Sequence, residues 1–195
     1  MSSTNSKGTV VITGASGGIG AVYADRFAKR GYDLFLIARD GKRLGEVANK
    51  ASEQYGVSVE TLIADLTDRA ALLKLEAQLQ ADKKVSVLVN NAGFGATKSL
   101  VNSSVDELEN MIFLNITALT RLTAAVLPNL IEKKHGGVIN IASVVAVTRR
   151  WLTSSACRSM TGFTSSRNIP RQACPLTVII SAFIGRMTTS SSRSR

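Results

Sequence analysis

Thr13-Gly14-Ala15-Ser16-Gly17-Gly18-Ile19-Gly20 is the stretch on which the fold of this chain turns. An apolar run, residues 9–12, leads into it, and an amphipathic stretch, residues 21–30, leads out. Strand, glycine turn and helix in that order aim free backbone N–H groups and the positive end of a helix at one point. The spacing is Gly14-x-x-x-Gly18-x-Gly20, not the commoner G-x-G-x-x-G. The glycines still serve a tight turn, a close approach of backbone to ligand, and close packing of helix on strand. The stretch reads as a cradle for the phosphates of a dinucleotide.

Outward from this turn, strand and helix alternate. Short apolar runs at residues 10–13, 34–38, 57–64, 85–90 and 138–142 have the length and composition of strands covered on both faces. Between them, residues 18–30, 42–55, 68–81 and 104–134 repeat at helical spacing. The first of these helices offers Ile19, Val22, Tyr23, Phe27 and Ala28 as its apolar face. Gly31, Gly56 and Gly136-Gly137 punctuate the helix ends; Asp68 caps the third helix, and Ser104 with Glu107 forms a capping box for the fourth. The pattern predicts an α/β fold, a doubly wound parallel Rossmann-type sheet, incomplete towards its C-terminal end. Ligands of such sheets lie outside the carboxyl ends of the strands. That edge collects residues 14–20, Arg39, Asp65, Asn90 to Gly93 and Ser143.

The formal charge of +10 invites a nucleic-acid reading, but its distribution argues against one. Residues 1–148 hold 16 Lys and Arg against 14 Asp and Glu, whereas residues 149–195 hold eight Arg with no Lys and no acid. The excess belongs to the tail, and basic tails are often incidental. No run of eighteen apolar residues and no signal-peptide core appears, so no membrane partner is expected. Cys157 and Cys174 follow no metal or disulfide spacing, and a cytoplasmic location is the expectation.

Asn90-Asn91-Ala92-Gly93 after the fourth strand, taken with the glycine turn, brings a family into view. The chain resembles the short-chain dehydrogenase/reductases, Rossmann-fold oxidoreductases that use NAD(P). Thr13 to Gly20, Asp65-Leu66, Asn90 to Gly93, Asn115 in Phe-Leu-Asn-Ile, and Ser143 in Asn-Ile-Ala-Ser-Val fall in family order over residues 8–148. The resemblance implies that Gly14, Ser16, Gly18, Ile19 and Gly20 cradle the pyrophosphate and the adenosine ribose. It implies that Asp65 and the backbone of Leu66 flank the adenine, and that Asn91, Ala92 and Gly93 line the ribose side and tie the fourth strand to the turn. NAD-preferring relatives place a carboxylate at the end of the second strand. Here Ala38 takes that place and Arg39 follows, able to pair with a 2′-phosphate, so NADP is expected over NAD.

The family's chemistry interconverts an alcohol and a carbonyl and rests on four side chains. Ser143 matches the serine that bonds the substrate oxygen, and Asn115 the asparagine of the proton relay. The tyrosine is expected near Ala156 and its partner lysine near Met160, but the last tyrosine is Tyr55 and the last lysine Lys134. Cys157 and Arg158 lie close by as poor substitutes, and His135 sits at the wrong end of the fifth strand. The expectation is an oxidoreductase impaired or inactive as written, acting on a small alcohol or carbonyl if active. The alternative is a non-catalytic NADP-binding protein.

Residues 149–195 are Ser-, Thr- and Arg-rich and read as an atypical, partly disordered tail whose composition suggests a shifted reading frame. Residues 176–184 within it are apolar enough for one more strand. The missing tyrosine-bearing helix commonly forms the family's dimer contact, so any homo-oligomer would lack its usual interface. Leu114, Leu119 and Val126 are expected to lose cover with it.

Overall fold

The structure, a computed structural model, describes residues 7–95, 102–143 and 177–183. Six strands form one parallel sheet: β1 (Thr9–Thr13), β2 (Asp33–Ala38), β3 (Val59–Ile63), β4 (Val85–Asn90), β5 (Gly137–Ser143) and β6 (Thr177–Phe183). Their order is β3-β2-β1-β4-β5-β6. The chain winds outward from β1 to β3, returns to the centre and winds the other way, so the connections leaving β1 and β4 part company. That parting opens a crevice at the carboxyl edge. All five expected strands are present. The sixth run, 176–184, is also a strand, parallel to β5 with Ile139 opposite Ile179. The rest of the 149–195 tail lies outside the described residues.

Alternation along the strands divides the core in two. Val10, Ile12, Leu34, Leu36 and Val89 point to one face and pack against helices α1 (Gly18–Ala28) and α2 (Gly41–Tyr55). Val11, Phe35, Ile37 and Leu88 point to the other, against α3 (Arg69–Ala81) and α5 (Leu119–Lys133). Both faces are covered, as the continuous apolar runs require. The edge strand β3 is the exception: Ile63 is 66 % exposed.

Helix α1 keeps only part of the expected face. Its buried stripe is Gly20, Ala24 and Ala28, one turn apart, whereas Val22 is exposed and Tyr23 and Phe27 are half-buried. Small side chains let the helix lie close on the sheet. The aromatic pair flanks that contact, with the Phe27 ring 5.5 Å edge-on from Tyr32. Helix α3 begins as the sequence suggests, with Asp68 accepting from the Ala70 N–H; α2 has a cap not expected from the sequence, Asp40, which accepts from the Arg43 N–H. Gly56 ends α2 in the left-handed conformation at φ 67°.

The helix expected over 104–134 is continuous but not uniform. Helix α4 (Val105–Ile112) passes through a π turn (Phe113–Ala118) into α5. Ser104 occupies the N-cap, yet its side chain accepts no capping hydrogen bond, so the expected box is not closed from the serine side. By length and apolar content alone this helix would suit a membrane. Its buried stripe, Leu114, Ala118, Leu122, Ala125, Val126 and Leu130, instead packs on the sheet and α3. Leu114 and Val126 are therefore covered, contrary to expectation, because they share the sheet-facing stripe. The exposed large apolar residues along the helix are Val105, Ile112, Ile116 and Ile131. Polar ties fasten α5 to α3 and to the turn after it: Arg121 Nε donates to Glu76 at 2.8 Å and Lys83 Nζ to Asn129 at 2.7 Å.

Candidate nucleotide site

The carboxyl edge brings together most of the residues singled out in the sequence. Residues 14–20 follow β1, Arg39 follows β2, Asp65 and Leu66 follow β3, Asn91 to Gly93 follow β4, and Ser143 closes β5. The glycines divide their work. Gly14 and Gly18 have φ of 67° and 54°, which side-chain-bearing residues rarely adopt. A Cβ on Gly20 would strike the Gly14 carbonyl oxygen and approach Asn91 Nδ2 to 2.6 Å, so this glycine permits the close stacking of turn and β4. A Cβ on Gly17 or Gly18 would meet nothing within 4 Å. These two face the open side, beside the half-buried Ser16 and Ile19.

Whether that open side suits a phosphate can be judged from the helix ends. Asp40 and Asp68 cap α2 and α3, but Gly17 at the N-cap of α1 supplies no side-chain acceptor, and the first turn of α1 holds no acid. The first-turn N–H groups of α1 are thus left for an external anion. The residues present fit a pyrophosphate.

Thr13, the first residue of the glycine motif, organises the turn. Its buried Oγ1 accepts from the N–H groups of Asn91 and Ala92, both at 3.0 Å, and donates to the Val89 carbonyl at 3.4 Å. Asn91 answers in kind: its Nδ2 donates to the carbonyls of Thr13 and Gly14, each at 3.0 Å. These bonds staple β1 to β4 where the crevice opens. Both amide hydrogens of Asn91 are used in this way, so its side chain positions the glycine turn. The sequence marks Thr13 as the first residue of the glycine motif and the polar end of an apolar run, but gives no sign of its bonds to β4.

At the adenosine end, Ala38 pairs with Ile63 and the Ala64 N–H reaches the Ala38 carbonyl at 3.0 Å, which sets Arg39 and Asp65 side by side. Arg39 Nη1 lies 3.7 Å from Asp65 Oδ2. Partial burial works against ionisation of Asp65. Bonds from the Thr67 N–H (2.9 Å) and hydroxyl (2.8 Å), with the Arg39 charge, outweigh it and hold the carboxyl below its ordinary value of 3.8. The Leu66 side chain is in the core, leaving only its backbone at the edge.

At the other end, Asn115 sits in the π turn and clamps the chain after β4: its Nδ2 donates to the Phe94 carbonyl (2.8 Å) and its Oδ1 accepts from the Phe94 N–H (3.2 Å). Gly93 fits beneath the clamp, where a Cβ would come 2.8 Å from Asn115 Oδ1. Single π turns are frequent at functional sites, because the extra residue re-aims side chains. Beneath the edge, Asn90 Nδ2 bridges Thr123 and Asn140, while Asn90 Oδ1 is buried without a partner among the described residues. It borders a small cavity that Thr13, Leu66, Ala92 and Leu114 also line. His135 is exposed just before the amino end of β5, away from this edge. Cys157, Arg158 and the positions expected for the tyrosine and lysine lie outside the described residues.

A parallel sheet in this order, with an uncapped glycine turn at its switch point, defines a dinucleotide-binding α/β protein. Residues 8–165 match the short chain dehydrogenase family, and the chain belongs to it. It is 35 % identical over 142 residues to a very-long-chain 3-oxoacyl-CoA reductase of Anas platyrhynchos, covering 70 % of this chain and 45 % of that protein. It is also 35 % identical over 136 residues to the inactive hydroxysteroid dehydrogenase-like protein 1 of Homo sapiens, covering 68 % and 41 %. A short-chain dehydrogenase from Sphingobium yanoikuyae, solved in complex with NADPH, superposes with a TM-score of 0.72 at 46 % identity, covering 74 % of this chain and 56 % of that one. The chain spans about half the length of these relatives.

Proposed function

We propose that this chain binds NADP(H) on a scaffold built for alcohol–carbonyl interconversion, and that as written it turns over little or no substrate. The observation that carries the reading is the uncapped start of α1, with Gly17 and Gly18 facing open space and Arg39 one strand away. The first-turn N–H groups would hold the pyrophosphate, Asp65 and the Leu66 backbone the adenine, and Arg39 the 2′-phosphate. Solved relatives in complex with NADPH support the choice of cofactor. When bound, the nicotinamide gives or takes the hydride.

The chain's own share of the chemistry is partial. Ser143 closes β5 and by the family resemblance would bond the substrate oxygen, while Asn115 clamps the chain after β4 through Phe94. No tyrosine follows Tyr55 and no lysine follows Lys134, so no phenol held by an ammonium group is present to move the proton. Loss of a general acid–base group costs roughly 10²–10⁴ in rate. Fluorescence titration with NADPH and NADH, followed by an NADPH-oxidation assay on a panel of carbonyls, tests the reading. Tighter binding of NADPH than NADH with negligible oxidation is expected. No binding of either, or turnover at ordinary dehydrogenase rates, would refute it.

A second reading, a non-catalytic NADP-binding protein, is favoured by the same missing pair. It requires binding at least as tight as in an active relative, and it would be abandoned if residual, Ser143-dependent turnover were found.

A further inference from the structure

Arg39, the residue on which the cofactor preference rests, is already engaged. The parallel register of β2 and β3 sets it against Asp65, with 3.7 Å between Nη1 and Oδ2 and both side chains partly exposed. The neighbouring cation is engaged as well: Arg43 Nε lies 3.5 Å from Asp40 Oδ2, while Asp40 Oδ1 caps α2. The four charges at this corner therefore cancel. A 2′-phosphate, close to dianionic at neutral pH, would enter a neutral cluster with two carboxylates at its rim. It can be held only if Arg39 leaves Asp65, or shares itself between the two anions.

We propose that Asp65 is a specificity-determining residue that acts through Arg39: it is a built-in competitor for the guanidinium, and it sets how strongly a 2′-phosphorylated nucleotide is preferred over its unphosphorylated counterpart. This rests on the NADP reading and deepens it. The Thr67 N–H and hydroxyl fix the carboxylate in place, so the competitor is pre-organised, while the Arg39 side chain is 67 % exposed and has Asp65 as its partner. An exposed ion pair of this kind is weak, which makes the exchange reversible. It also makes the preference adjustable by one residue that does not itself contact the 2′-phosphate.

The test compares adenosine 2′,5′-bisphosphate with AMP, which differ only in the 2′-phosphate, by calorimetric titration of the full chain and its variants. Asp65→Asn is expected to tighten the bisphosphate by about two- to fivefold relative to AMP, the range set by an exposed pair. Asp65→Glu, which keeps the charge, should show no such gain. Arg39→Met should bring the bisphosphate down towards AMP, and adding Asp65→Asn to it should then gain nothing. The gain should shrink as ionic strength rises, because a surface pair is screened. Asp65→Ser repeats the measurement if Asp65→Asn fails to fold. Equal shifts for both ligands, or a gain that persists without Arg39, would overturn the proposal and leave Asp65 a purely structural or adenine-facing residue. Wild-type affinity no greater for the bisphosphate than for AMP would instead overturn the NADP reading, and this proposal with it.

Discussion

Thr13→Val isolates the staple between β1 and β4. Valine has nearly the shape of threonine, and Thr13 is 2 % exposed, so the substitution removes a hydroxyl while leaving the packing close to native. It deprives the N–H groups of Asn91 and Ala92 of their shared acceptor. A fully buried donor left unpaired costs about 1–3 kcal/mol. Both residues are half-buried, so the lower part of that range applies to each, and the total comes to about 2–3 kcal/mol. Domain stabilities are about 5–15 kcal/mol, so the loss is a sizeable fraction. Urea unfolding should show a lower midpoint with an unchanged slope, since the surface exposed on unfolding does not change. NADPH affinity should fall with it, because the Gly14 carbonyl and the turn after it are positioned from the same point. A stability change under about 0.5 kcal/mol would mean that the hydroxyl is not the acceptor that holds the two strands, and the argument for Thr13 would fail.

Two glycine substitutions should move in opposite directions. Gly20→Ala would press a methyl group into the Gly14 carbonyl and Asn91, costing about 1–3 kcal/mol in a chemical melt. Gly45→Ala, inside α2 with nothing near the added carbon, should stabilise by about 0.5–1 kcal/mol in the same assay. The depressed Asp65 carboxyl contributes stability that is fully present above its unfolded-state value. That contribution is lost as pH falls through the lower folded-state one, so the gap between wild type and Asp65→Asn should close below about pH 4. Urea midpoints measured across that range check the sign.

Much of this fold is legible in the sequence because its strands are short, apolar and evenly spaced, and the glycine turn announces the first β–α junction. What is not legible depends on distance across the sheet. The pairing of Arg39 with Asp65 follows from strand register, which no local pattern encodes. Thr13 opens the glycine motif in the sequence, but its bonds to Asn91 and Ala92 come into view only when β4 lies beside it. On α1 hydropathy wrongly includes Val22 and passes over Gly20 and Ala24, because close approach to the sheet favours small residues there. The π turn around Asn115 shifts the helical phase by a single residue, too small a break to register in a periodicity that remains apolar throughout. Ser143 falls at the end of β5 as expected, since a strand end is a local feature.

Thr13, the glycines, Arg39, Asp65 and Asn91 all precede residue 95, and the sheet order lets them meet without help from β5 or β6. During synthesis the ribosome completes the half that carries the glycine turn before it reaches the strand that ends in Ser143. Mutations in the later codons can therefore change the end of β5 while the earlier codons go on specifying the glycine turn and the strands around it. Natural selection can keep or discard the two parts separately.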